Sequence, residues 1–88
     1  MVMVEKRTVL SDHALRQIEE RGISKNEVLE AIDKGERVPA KKGRLSFRLN
    51  FDFNRRWGGK YYAVKQVVPI VVEEKERLVV VTVYAFYF

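Results

Sequence analysis

The 88-residue sequence contains no cysteine and a single histidine, His13. The absence of cysteine excludes disulfides, thiol catalysis and zinc–thiolate sites, and one histidine excludes a metal cage built from several. No apolar run reaches the roughly 18–20 residues of a membrane span. The N-terminal apolar residues precede their charges, which is the reverse of a secretory signal. We therefore expect a cytoplasmic protein without a metal, a cofactor or a membrane partner.

The composition is that of one small globular domain, with 47% hydrophobic and 33% charged residues. We expect a single domain over residues 1–88. The net charge is +5, and it is concentrated in the middle of the chain. From Arg37 to Lys65 there are nine basic residues and only one acidic residue, Asp52. This segment is suited to attract phosphates, although solubility alone also explains a net charge of this size.

Helix-capping signals predict two helices near the N-terminus. Ser11 is placed as an N-cap, and Gly22 is placed to end that helix in the left-handed conformation. Ser24 and Glu27 have the spacing of a capping box for a second helix, which Gly35 closes. Two capped helices with almost no connection between them predict an αα-hairpin.

The remainder of the chain is predicted to be β-structure. Apolar and polar residues alternate from Leu45 to Phe53, the period-2 pattern of a half-buried strand. A second strand is predicted over about Tyr61–Val72, where Pro69 indicates an edge or a bulge. The last strand is predicted over Leu78–Tyr84, continuing through Phe86. The connections are the turn-like Arg55–Gly59 and the charged run Glu73–Arg77.

These elements predict an α+β fold in which an N-terminal αα-hairpin packs on a three- to four-stranded antiparallel sheet. Thr8–Leu10, preceded by Val2 and Val4, gives a weak signal for an additional first strand. The predicted order is therefore (β)ααβββ.

The last strand is apolar on both predicted faces, one formed by Val79, Val81 and Val83 and the other by Leu78, Val80, Tyr84 and Phe86. Two helices cover only one face of a small sheet. We therefore expect a second copy of the chain or a partner protein to cover the other face, unless the aromatic tail folds back over it.

Histidine is the residue type best suited to general acid–base catalysis near neutral pH, so His13 is a candidate catalytic residue. On a helical wheel it shares a face with Arg16 and Glu20, nearly opposite Ala14 and Ile18. One interpretation is an exposed acid–base group with Arg16 beside it to hold a phosphate. The other is a solvated helix face whose side chains contact only one another.

Basic residues of the predicted sheet form a second candidate group. Arg44 and Arg48 project from the polar face of the first long strand and suit RNA phosphates, with Trp57, Tyr61 and Tyr62 nearby to stack bases. They are also explained as solvent-facing residues that protect a strand edge. The candidate RNA-binding residues are Arg44, Arg48, Arg55, Arg56 and Lys60.

Two sequence motifs resemble those of a widespread bacterial and archaeal family known as a small domain of unknown function. The segment from Ser11 to Ser24 resembles a SxHAxxRxxERGIS start, although Gln17 stands where that motif has arginine, and Thr82-Val83-Tyr84 matches a TVY end. The element order also looks like that of RelE/ParE-type toxins. That resemblance implies RNA cleavage without a metal by basic residues, and sometimes tyrosine or histidine, with an antitoxin as inhibitor. ParE-type members share the fold but poison gyrase, and this chain lacks the C-terminal helix that often carries a catalytic residue.

Two functional hypotheses follow from these residues. The first is a toxin-like, metal-independent endoribonuclease that cleaves RNA by 2′-hydroxyl transesterification, with His13 moving the proton and Arg16, Arg44 and Arg48 binding phosphate. Thr82 or Tyr84 would orient the hydroxyl or the phosphate. The alternative is a non-catalytic module that binds nucleic acid or a protein. The expected partners are RNA, an antitoxin or other protein on the apolar sheet face, and a second copy of the chain.

Overall fold

Seven helices and strands succeed one another along residues 6–88, the part of the chain that the computed structural model describes. They are β1 (Arg7–Leu10), α1 (Asp12–Glu20), α2 (Lys25–Lys34), β2 (Glu36–Pro39), β3 (Leu45–Trp57), β4 (Lys60–Glu73) and β5 (Arg77–Tyr87). A short 3-10 turn, Lys41–Gly43, lies between β2 and β3. Val2 and Val4 of the predicted first strand lie outside the described residues.

The five strands form one mixed sheet in the order β1-β5-β4-β3-β2, in which β1 is parallel to β5 and the other neighbours are antiparallel. The predicted fold class is therefore wrong: the sheet is neither purely antiparallel nor limited to three or four strands, and the order is not (β)ααβββ. The molecule is a mostly-β α+β fold whose two helices lie between strands. They carry the chain from β1 at one edge to β2 at the other.

Local capping fixes both helices as predicted. The Ser11 side chain accepts a hydrogen bond from the Ala14 backbone N–H, and Gly22 adopts a φ of +69° directly after α1. At α2, Ser24 and Glu27 exchange both bonds of a capping box. These bonds satisfy N–H groups that a helix leaves without an internal partner, so each helix begins at a defined residue.

The hydrophobic core lies between the helices and one face of the sheet. Ala14 and Val28 of the helices and Val67, Val71 and Val83 of the sheet are fully buried there. No helix of the described residues packs on the opposite face, which is called the open face below. In a two-layer α+β fold the helices bury one face of the sheet, as they do here.

The face assignment predicted for the last strand is wrong because of a register shift. Ile70 pairs with Thr82 but Val71 pairs with Val80, so β5 contains one extra residue at that point. A bulge of this kind changes the alternation, and Val80 and Val83 both contribute to the core. Pro69 lies directly before the shift in β4, which is an interior strand rather than an edge.

The β3–β4 hairpin is the longest feature of the molecule. The 14 residues of β4 at about 3.3 Å per residue account for the 45 Å long axis. Its turn is only Gly58-Gly59, both with positive φ, whereas the sequence predicted a turn over Arg55–Gly59. Arg55, Arg56 and Trp57 are instead the last residues of β3.

The turn between the helices packs directly on this hairpin. A Cβ atom added at Gly22 would lie 2.5 Å from Cη2 of Trp57, so only glycine fits beneath that indole ring. Gly43 has the same φ of +69° but no atom within 4 Å of the equivalent position. The two glycines therefore differ in packing and not in backbone conformation.

We expect Gly22→Ala to lower the free energy of unfolding by more than Gly43→Ala. Both substitutions place a side chain at positive φ, which costs on the order of 1–3 kcal/mol, but only the first also displaces Trp57. Urea unfolding of both variants measures the difference. Equal losses would contradict the packing of Trp57 on the helical turn.

Candidate nucleic-acid interface

Three side chains of neighbouring strands form a row across the open face. Val68 pairs with Tyr84, and the register of Ser46 with Ile70 places Arg48 opposite Val68 on the other side. The Cα atoms of Arg48 and Tyr84 are therefore separated by two strand spacings, or about 10 Å. Arg48 forms an ion pair with Glu36, its partner in β2. A guanidinium and a phenol ring thus lie on the same exposed surface.

Aromatic residues line the β5 side of the open face. Tyr84, Phe86 and Phe88 are spaced two residues apart, and 43%, 50% and 57% of their respective surfaces are exposed. The rings of Tyr84 and Phe86 are stacked, with centroids 6.4 Å apart. Aromatic side chains this exposed on one sheet face are uncommon in monomeric proteins unless the surface binds something.

Helix α1 occupies the edge of β5 beyond the end of β1. Strand β1 pairs only with Arg77–Val80, so the backbone of Val83 lacks a neighbouring strand on that side. The Val83 N–H donates to Gln17 Oε1 at 2.8 Å, and Arg21 Nη1 donates to the Val83 carbonyl at 2.6 Å. The side chains of Gln17 in α1 and of Arg21 directly after it therefore bond to the backbone as a strand would, which protects the edge from association.

Arg21 is also positioned over the ring of Tyr84. Its guanidinium carbon lies 5.3 Å from the ring centroid, a cation–π arrangement. Because one N–H of this guanidinium is bonded to Val83, the group has a fixed orientation and further N–H donors. Arginine is thus present at both sides of Tyr84: Arg21 from the helix, and Arg48 from the sheet.

The backbone beside Arg21 is bonded to the sheet by two long side chains. Tyr87 donates its hydroxyl hydrogen to the Arg21 carbonyl at 2.7 Å, and Lys65 donates to the Gly22 carbonyl. Lys65 also forms an ion pair with Glu27 at 2.7 Å and is only 2% exposed. These contacts hold the helical turn, and with it Arg21, against the sheet.

The carboxyl group of Glu27 is adapted to this buried lysine. Its partial burial by itself raises the pKa, but hydrogen bonds from Lys65 and from the Ser24 backbone N–H, together with the charge of Lys65, outweigh that effect and lower it. The charged form of Glu27 therefore stabilises the fold.

The pKa of Tyr87 is raised, mainly because its hydroxyl is removed from water and secondarily by the charge of Glu27.

An aromatic cluster joins the helical turn to the basic end of the hairpin. Phe53, Trp57 and Tyr62 each lie with ring centroids 5.2–5.6 Å from that of Tyr87. Arg55 lies over Phe53 at 4.6 Å, and Lys60 lies over Tyr62 at 5.8 Å. Arg55 and Lys60 are exposed to solvent, and each side chain lies against an aromatic ring.

The structure distributes the predicted site residues over three places. Arg48, Thr82 and Tyr84 share the open face, while Arg55, Arg56 and Lys60 lie near the hairpin turn. Arg44 is half-buried just before β3. His13 and Arg16 are exposed on α1. His13 lies between Ser11, which bonds to Val80, and Gln17, which bonds to Val83, so it is alongside the stretch of β5 that includes Thr82.

Sequence reasoning missed Gln17, Arg21, Lys65 and Tyr87. Gln17 is buried, and its side-chain oxygen accepts a hydrogen bond from the Val83 N–H. Arg21 and Gly22 belong to the N-terminal motif, but a motif does not tell which side chain reaches the sheet. Lys65 is the residue of this group that the sequence could have revealed. It is a single lysine between Val64 and Val67 on a buried strand, and a buried lysine requires an acidic partner.

Two surface depressions lie at the far end of the sheet from the hairpin turn. One is lined by Arg7 and Glu74–Arg77, and the other by Lys6, Thr8, Leu29, Ile32, Asp33 and Leu78. Neither contains a predicted site residue. The candidate interface is therefore an exposed surface suited to an extended ligand. No helix among residues 6–88 is long and apolar enough to cross a membrane.

A family model described as a domain of unknown function (DUF4258) matches residues 10–85. The chain therefore belongs to this family, and the predicted membership of a small family of unknown function is confirmed. The match extends from the end of β1 into β5, so it includes Arg21, Arg48 and Tyr84 but ends before Phe86. Comparison with curated proteins and with solved structures gives no match.

We expect Glu27→Gln to lower the free energy of unfolding by about 2 kcal/mol or more, because it leaves Lys65 buried without its carboxylate. The double variant Glu27→Gln with Lys65→Met should recover most of the loss. Since the folded pKa of Glu27 is lowered, its stabilisation is present above its ordinary pKa and is lost as the pH falls through the folded value.

Urea unfolding from pH 7 to pH 2 measures this effect. Glu73→Gln is the matched control, because Glu73 also has a lowered pKa but forms an exposed ion pair with Lys6. Equal stability changes for the two glutamine variants would show that burial of Lys65 does not matter.

Proposed function

We propose that this DUF4258 protein is a toxin-like RNA-binding protein that holds single-stranded RNA on the open face of its sheet. The observation that carries the proposal is the exposed ring of Tyr84, with Arg21 over it and Arg48 in the same row. Aromatic rings stack on unpaired bases of any identity, and arginines bond to phosphates. This combination is typical of proteins that bind single strands.

The shape of the surface favours a single strand over a duplex. Bases in an A-form helix are paired and lie in grooves that side chains reach poorly, whereas unpaired bases can be placed on aromatic rings. The surface from Tyr84 through Phe86 to Phe88 leads toward the hairpin end of the sheet. There Arg56 supplies further positive charge for the RNA backbone, while Arg55 and Lys60 lie over rings of the aromatic cluster that packs on the helical turn.

The cellular context is part of the same proposal. A cytoplasmic location would place the protein with its RNA ligand. An antitoxin or other protein, or a second copy of the chain, would compete with RNA if it covered the open face. The apolar residues beside the row, among them Val72 and Val79, are the surface that such a protein would contact.

We expect Tyr84→Ala to weaken the binding of a fluorescent single-stranded RNA by about tenfold, because one base–ring contact is lost. Leu15→Ala is the matched control, since Leu15 is also 43% exposed but lies on α1 away from the core. Fluorescence anisotropy at several salt concentrations measures both. Arg56→Gln should reduce the salt slope by about 0.7, the contribution of one phosphate contact on a single strand.

Lys75→Gln, in the turn at the opposite end of the sheet, should leave that slope unchanged. The proposal is wrong if RNA does not bind at all. It is also wrong if Leu15→Ala and Lys75→Gln weaken binding as much as the interface variants do.

RNA cleavage is a second candidate function, favoured by the position of His13 on the helix that borders β5. In a transesterification the RNA 2′-hydroxyl attacks the adjacent phosphorus, the bond to the 5′-oxygen breaks, and a cyclic phosphate forms. We propose that His13 moves the proton and that Arg16 and Arg48 bind the negative charge, with Arg44 contacting the RNA backbone. Thr82 or Tyr84 would orient the 2′-hydroxyl.

We expect purified protein to cleave RNA in the presence of EDTA and His13→Ala to reduce the rate at least 100-fold, the contribution of a positioned acid or base. Binding of RNA and the unfolding midpoint should be unchanged, because His13 is exposed. Product analysis should detect cyclic phosphate ends. If RNA remains intact after incubation with wild-type protein, the cleavage hypothesis is wrong and RNA binding remains the proposed function.

A further inference from the structure

Strand β3 has an open outer edge beyond the end of β2. Strand β2 pairs only with Leu45–Arg48, and no other strand among residues 6–88 lies on that side of β3. The regular part of β3 ends at a register shift between Asp52 and Arg55, where Asn54 adopts a φ of +49°. A stretch of regular strand from Leu49 to Asp52 therefore lacks a neighbour on its outer side.

The pairing inside the sheet shows which backbone groups point outward. The backbone of Val64 in β4 exchanges two hydrogen bonds with β5. Because backbone groups along a strand point alternately to the two sides, the next residue, Lys65, points to its β3 partner Phe51. Asn50 and Asp52, on either side of Phe51, then point their N–H and C=O groups away from β4. No bond from another segment of residues 6–88 reaches these four groups.

The other side of the sheet lacks such an opening at the corresponding place. Strand β1 covers the first part of β5, and the side chains of Gln17 and Arg21 bond to the N–H and C=O groups of Val83. In the described part of the chain no side chain bonds in this way to the backbone of Asn50 or Asp52. Unpaired groups at a strand edge are where another chain adds a strand.

The surroundings of this edge suit an acidic segment with alternating apolar residues. Residues 36–57, which form β2, β3 and their connection, contain seven basic and two acidic residues. Arg37 near the end of β2 and Arg56 beyond the register shift are both exposed. Leu49 and Phe51 are half-buried beside the core, so apolar side chains of an added strand would extend the apolar surface there.

We propose that the outer edge of β3 at Asn50 and Asp52 binds an acidic segment of a partner protein in extended conformation, which adds a strand to the sheet. Backbone hydrogen bonds supply the affinity, and the alternation of side chains supplies the specificity. This surface is separate from the open face, so the inference goes beyond RNA binding and does not depend on it.

The probe is a synthetic eight-residue peptide in which valine and threonine alternate, with glutamate at both ends. In the favourable register threonine lies opposite Asn50 and Asp52 and directs its N–H toward β3, while valine lies opposite Phe51. N-methylation of the threonines therefore blocks the bonds to β3. N-methylation of the valines is the matched control, because their N–H groups point away.

Anisotropy of the labelled peptides measures affinity, and amide hydrogen exchange of the protein locates the binding. We expect methylated threonines to weaken binding roughly tenfold or more, the loss of two backbone hydrogen bonds, and methylated valines to have little effect. Exchange at Asn50 and Asp52 should slow when the unmodified peptide binds. Phe51 is the internal control, since its N–H is already bonded to β4.

Protein variants test the same edge. Asp52→Pro removes an outward N–H, which a strand tolerates where that group faces solvent, and Asp52→Ala removes the carboxylate alone. We expect only the proline variant to lose peptide affinity, with the urea midpoint of each confirming that it is folded. If Asp52→Pro does not fold, the two methylated peptides decide.

The proposal is overturned if no peptide binds, if both methylated peptides bind equally, or if a peptide with lysine at both ends binds as tightly as the acidic one. Slow exchange at Asn50 and Asp52 in the free protein that increases with protein concentration would also overturn it, since a second copy of the chain would then occupy the edge. Slowing of these two amides by RNA alone would assign the edge to RNA instead.

Discussion

The attachment of the α1–α2 turn to the sheet determines the geometry of the whole candidate interface. Lys65 and Tyr87 bond to the carbonyls of Gly22 and Arg21, and Trp57 packs where any residue larger than glycine would collide. Without these contacts Arg21 would be one more mobile surface arginine. With them, its guanidinium is fixed between the backbone of Val83 and the ring of Tyr84.

The same attachment explains why one sheet face is covered and the other is not. The two helices carry the chain from one edge of the sheet to the other, and their buried apolar side chains pack on the core side. The chain supplies no third helix among residues 6–88 to cover the open face. Its exposed aromatic residues and flanking arginines therefore remain accessible to a ligand, which is consistent with the proposed binding of unpaired bases.

The sequence was sufficient to predict the parts of the fold that depend on neighbouring residues. The Ser11 cap, the Ser24–Glu27 capping box and the alternation from Leu45 to Phe53 all involve residues a few positions apart, and each corresponds to an observed element. The four-residue strand Glu36–Pro39 was missed because it is short and contains proline, and its strand character comes from pairing with β3.

Long-range pairing limited the remaining predictions. The parallel contact of β1 with β5 joins residues about 70 positions apart, and no local pattern indicates it. The bulge in β5 places Val80 and Val83 on the same face of the sheet, although the alternation predicted opposite faces. Among the interface residues, the sequence pointed to Tyr84 and Arg48 as candidates but not to Gln17 and Arg21. The role of Gln17 and Arg21 depends on which backbone groups of Val83 lack a strand partner, and this is a property of the assembled sheet.

The central claim is that single-stranded RNA binds the open face, and a nuclear magnetic resonance titration tests it most directly. Isotope-labelled protein would be titrated with an unlabelled RNA octamer while backbone amide shifts are followed. The account predicts changes at Arg48, Tyr84 and Phe86 and at the basic end of the hairpin, with Leu29 on the outer side of α2 unaffected. Changes confined to the helices, or to the β4–β5 turn, would contradict it.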